Sequence, residues 1–132
     1  MPDTDPVENP NIYRAISKRR WYVPTEHRVL SIAFIRRSTE EGVSLLKRVD
    51  DCSPDNCLSN LGKCFGEFIL ETERILALGL TLVDDEPDNP EFSPNHAEIR
   101  GLPPPEDEKA AEDAATPLAR MARLHYDRHG KF

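Results

Sequence analysis

No apolar run in this chain approaches the roughly 20 residues needed to cross a bilayer, so no membrane-spanning helix is expected. The start, MPDTDPVENPN, is acidic and lacks the apolar stretch of a secretory signal. Cysteine is scarce and odd in number, with Cys52, Cys57 and Cys64 alone. Without a signal sequence, such thiols are expected to be reduced, in a cytoplasmic protein rather than on a disulfide framework. Gly-rich phosphate loops, Ser-centred elbows and internal repeats are all missing. Apolar residues make up only 38% of the chain, against 31% charged. At 132 residues this suits one domain with a single modest core.

What the chain does have is charge sorted by position. Ile12 to Arg48 carries nine Lys/Arg against three Asp/Glu, a net of +6. Val49 to Pro117 carries four against seventeen, a net of −13, and the whole chain stands at −7. An acidic total disfavours the coating of nucleic acid, but a local basic face stays compatible with it. The split predicts either that two halves of one domain attract each other or that one surface meets an anionic partner. Much of the acidic excess falls at 50–55, 84–91 and 106–113, in segments that read as loops or helix surface. An ordered cationic surface in the N-terminal half is therefore the expected point of contact.

Twelve prolines, about twice ordinary usage, mark the irregular connections. Residues 1–11, with three prolines and three acids, read as a disordered tail. Tyr13, Ile16 and Arg20 lie at helical spacing, which predicts a short helix to Arg20 that Pro24 closes off. The β-branched run 28–35 reads as a buried strand, and 43–49 as its hairpin partner across a polar turn. Ser53-Pro54 starts a predicted helix that Gly62 stops. Strands are predicted at 65–70, at 75–83, where Leu76, Leu78, Leu80 and Leu82 alternate, and at 96–100. The Ala-rich segment 106–132 reads as helical, broken in two at Thr116-Pro117, with Leu118, Met121, Ala122 and His125 on one face. The expected architecture for 12–132 is a single α+β domain, with a small, mostly antiparallel sheet of four to five strands covered by the C-terminal helix.

Four groups carry candidate chemistry. Lys18, Arg19 and Arg20 stand beside Trp21 and Tyr22, and Arg36 and Arg37 follow the first predicted strand. Cations next to aromatics suit phosphate contacts and base stacking, or the anchors of a protein interface. His96, Glu98 and Arg100 share a strand face and are candidate acid/base and anion-holding groups. Cys52, Cys57, His125 and His129 have intervals that zinc ligands use, but the two pairs lie far apart in sequence. Cys57 and Cys64 are candidate thiol nucleophiles, although acids flank Cys57 and apolar Phe65 follows Cys64. No cofactor is implied. The leading expectation is an interaction or accessory protein that binds a protein or nucleic-acid partner through the basic, aromatic surface. The alternative is a small enzyme acting on a nucleotide-like anion, with His96 as acid/base and Glu98 beside it.

Overall fold

Ile12 and Ile16 are fully buried, and a spacing of four suits one side of a helix or one side of a strand. The computed structural model describes residues 5–6, 10–38, 42–46, 64–84 and 96–127 and makes this segment a strand. In chain order the described strands are β1 (Asp5–Pro6), β2 (Asn11–Ala15), β3 (Tyr22–Val23), β4 (Arg28–Val29), β5 (Gly42–Leu46), β6 (Gly66–Glu71), β7 (Thr81–Asp84), β8 (His96–Arg100) and β9 (Arg123–Asp127). The described helices are α1 (Thr72–Ala77) and α2 (Glu108–Met121). β2 pairs along its whole length with β6, from Asn11 opposite Glu71 to Ala15 opposite Glu67. Ile16 extends the contact through bonds to Gly66 and Phe65. The helix expected up to Arg20 is thus corrected to a strand and a single 3₁₀ turn at Arg19–Trp21. Pairing with a neighbour overrides a weak local preference.

The architecture is α+β. The main sheet is antiparallel at every pairing, in the order β1-β7-β8-β5-β2-β6-β9. Six of its strands have four residues or more, and the two-residue β1 completes seven, against the four to five expected. In β1, Asp5 pairs with Asp84 and Pro6 with Val83, so the segment read as a disordered tail contributes an edge pairing. An edge is where a proline, which has no N–H to donate, does least harm.

Three further expectations change. The run 28–35 is not one strand, because only Arg28–Val29 pairs, with Tyr22–Val23, and Ser31–Phe34 forms a 3₁₀ turn that buries Ala33 and Phe34. β5 therefore has no hairpin partner there and lies between β2 and β8. The leucine alternation at 75–83 does not define a strand either. Thr72–Ala77 is helical, Ile75 is buried, and Leu76 and Leu78 are exposed. Gly79 then takes a φ of 84°, a left-handed conformation that ends a helix, before β7 begins. Finally, α2 runs unbroken through Pro117 and stops at Met121. Burial of Ala115, Leu118 and Ala119 against the sheet layer offsets the hydrogen bond that proline cannot make. The expected continuation of that helix is strand β9. The predicted helix after Ser53-Pro54 lies outside the described residues.

The core sits on one face of the sheet. Ile12, Val43, Leu45, Phe68, Leu70, Leu82, Ala97 and Ile99 meet Ala33, Phe34 and the apolar side of α2 there. Asp107 caps α2 by accepting from the Ala110 N–H at 3.4 Å. A smaller cluster of Tyr13, Leu46 and Cys64 occupies the other face.

Candidate functional site

The sheet has a weak seam. Among the described residues β2 and β5 share one paired position, Tyr13 opposite Leu46. From there toward Ala15 and Gly42 no further position is paired, and a side chain does the bridging. The Arg14 Nη1 donates to the Ser44 carbonyl at 2.9 Å, and its Nε donates to the Ala33 carbonyl at 2.9 Å. The guanidinium also lies 4.8 Å from the Trp21 ring centroid. A rigid fork of donors can satisfy backbone carbonyls where no strand reaches them. On the far side of β5 the backbone is tightly held. A Cβ on Gly42 would run into the Ile99 carbonyl oxygen of β8.

A cavity of about 510 Å³ opens at this seam. Its described lining comes from both strands, from the turn at Lys18–Trp21 and from the segment Ile32–Arg37. Five cations contribute: Arg14, Lys18, Arg20, Arg36 and Arg37. No Asp or Glu occurs in the described lining. Arg36 is held in place, since its Nε donates to the Leu102 carbonyl at 3.1 Å and its Nη1 to the Arg37 carbonyl at 3.2 Å. Lys18, Arg20 and Arg37 are exposed and enter no ion pair among the described residues. Like charges gathered in a concave, partly apolar site raise the local potential and attract anions.

The structure thus unites two cationic groups that lie 16 or more positions apart in sequence, from Arg20 to Arg36. Arg19 is exposed but does not line the cavity. The aromatics differ from expectation, because Trp21 and Tyr22 are core residues at 8% and 9% exposure. The Tyr22 hydroxyl lies 3.4 Å from His27 Nδ1, and its ring is 6.1 Å from that of Phe68. Trp21 still lines the cavity, with the Arg14 guanidinium over its ring. Sequence reasoning did not single out Arg14. Its signal was present, as a charged residue at the inward position between Ile12 and Ile16, but it becomes readable only once the segment is known to be a strand.

The His96–Arg100 strand does form as β8, and Glu98 and Arg100 share a face as expected, with a 2.7 Å ion pair between them. Glu98 is not part of the described cavity lining. His96 opens β8 opposite Leu46. Of the zinc candidates, Cys52, Cys57 and His129 lie outside the described residues. His125 lies on strand β9, so its predicted place on a helical face is corrected. Among the described residues no group of three or more His, Cys, Asp or Glu side chains converges as metal ligands would. Cys64 is buried, and its Sγ donates to the Gly66 carbonyl at 3.2 Å.

His125 instead takes part in a cluster that the sequence did not announce. The register between β6 and β9 shifts between Glu67 and Phe68, so Glu67 faces Tyr126, Phe68 faces Leu124, and His125 is the extra residue of a bulge. Its Nδ1 lies 3.6 Å from Glu67 Oε2, and its ring centroid is 5.2 Å from that of Tyr13. Glu67 is completely buried. A buried carboxylate needs such partners, and the bulge aims one at it.

No protein family, curated protein or solved structure matches the chain. Among the described residues no helix is long and apolar enough to cross a membrane. The cavity has the means to hold an anion. Apart from the cations, Cys64 is the titratable side chain in its described lining.

Proposed function

We propose that this chain is a cytoplasmic accessory protein, without catalysis of its own, that holds an acidic segment of a protein partner in the cavity between β2 and β5. One observation carries the reading: Arg14, Lys18, Arg20, Arg36 and Arg37 line a single cavity with no acid in its described lining. Three features favour protein over nucleic acid. Trp21 and Tyr22 are core residues, and the Trp21 ring that lines the cavity already carries the Arg14 guanidinium. The cations gather at one concavity instead of tracking along a surface, as a phosphate backbone requires. The chain's net charge of −7 repels a long polyanion, while a short acidic segment meets only the local field.

The test is titration with an acidic peptide and a single-stranded oligonucleotide of equal charge, at low and high salt. The peptide is expected to bind, more weakly as salt rises. The variant Arg20→Glu/Arg37→Glu is expected to lose at least tenfold in affinity while keeping its circular dichroism spectrum. Affinity for the peptide that survives the charge reversal would remove this assignment.

A further inference from the structure

The cavity lining combines cations with apolar side chains. Lys18 and Arg20 enter from the turn that follows β2, and Arg36 and Arg37 from the segment after Ser31–Phe34. Ile32 and Ile35 line the same cavity. Ile32 is one of the few large apolar side chains left in solvent among the described residues, at 44% exposure. Exposing a branched aliphatic beside cations is unfavourable in the free protein, and an incoming apolar group would relieve it. Pure acid would satisfy the cations and leave Ile32 wet.

Resting on the reading above, we infer that the occupant is an extended peptide segment in which an apolar side chain is flanked on both sides by Asp or Glu. The apolar side chain packs on Ile32 and Ile35, and the flanking acids meet the exposed Lys18, Arg20 and Arg37. In an extended chain alternate side chains share a face, so acid, apolar and acid side chains at positions i, i+2 and i+4 can face the cavity together. Arg14 is already committed to Ser44 and Ala33, so it forms the wall behind the ligand.

The experiment is selection from a randomised peptide library displayed on phage, against the full chain and against Arg20→Glu/Arg37→Glu. Binding of a selected peptide is then measured with its apolar residue intact or replaced by serine. Enrichment of acid–apolar–acid sequences on the unaltered chain alone is expected, with a loss of about tenfold on serine replacement. That loss is expected to shrink below about threefold in Ile32→Ser, a change at an exposed position that leaves the fold intact. Enrichment of acids with no apolar position, or equal binding of the serine peptide, overturns this inference and leaves the cationic-cavity reading standing. Equal enrichment on the charge-reversed variant, or no enrichment while an oligonucleotide binds, overturns both.

Discussion

The Arg14 guanidinium reaches across the seam between β2 and β5 to the Ser44 carbonyl, 2.9 Å away, and ties together two strands that share only one paired position among the described residues. The same group bonds Ala33 and lies over Trp21. One side chain therefore connects the sheet, the covering layer and the rear wall of the cavity.

Arg14→Lys should destabilise the protein by about 2 kcal/mol. Lysine keeps the charge but lacks the planar fork that bonds two carbonyls and stacks on an indole. Urea denaturation checks this, and a loss below about 0.5 kcal/mol would mean that water replaces the fork without penalty.

A ligand that binds only the folded state stabilises it by mass action. An acidic peptide at about 100 times its dissociation constant should add roughly 2.7 kcal/mol. The melting temperature should rise accordingly, and should not rise in Arg20→Glu/Arg37→Glu. Both positions are exposed, so the variant alone should differ from the unaltered protein by no more than about 0.5 kcal/mol. Differential scanning fluorimetry at low salt reads both effects.

Removal of the imidazole beside Glu67 should be felt in stability. His125→Ala is expected to cost about 1–2 kcal/mol, below the range for a fully buried pair because the His125 side chain is 39% exposed. Glu67→Gln in the same background should recover part of that loss, since a neutral amide needs less compensation. The coupling in a double-mutant cycle is the measurement. A coupling near zero would show that the bulge serves backbone geometry alone.

Pro117 lies within α2, ten residues after the N-cap Asp107, and cannot donate a hydrogen bond to the Asp113 carbonyl. The Thr116 Oγ1 donates to the Glu112 carbonyl at 2.8 Å in the same turn. Pro117→Ala restores the missing donor and should stabilise the protein by about 1 kcal/mol or more, after allowing for the added freedom of the unfolded chain. Chemical denaturation decides the sign, and destabilisation would mean that the proline ring itself packs in a way alanine cannot replace.

How far the fold could be read depended on whether a local pattern had one interpretation. Gly66–Glu71 and His96–Arg100 were legible because both are short, bounded segments with few alternatives. The 11–16 segment was not, since Ile12 and Ile16 satisfy both periods. The leucines of 75–83 misled more strongly. Their alternation is genuine, yet Leu76 and Leu78 stand in solvent, because Gly79 turns the chain; after it Leu80 packs partly against the core and Leu82 is buried in it. In the site, Lys18, Arg20, Arg36 and Arg37 were all identifiable as cations in a basic half. Their convergence was not, because it depends on β5 lying beside β2 and on the two strands parting after one pair.

The amino-acid sequence by itself determined the α+β class, the segregation of positive charge into residues 12–48 and the two short, bounded strands near 65–70 and 96–100. Those properties come from composition and near-neighbour spacing, which local physics reads directly. Tertiary structure alone decided that Trp21 and Tyr22 are core, that His125 turns toward Glu67, and that three exposed cations, Arg36 and Arg14 line one cavity. These depend on which distant segments become neighbours, and strand pairing is selected by the burial of the whole chain, with no trace in any short window of it.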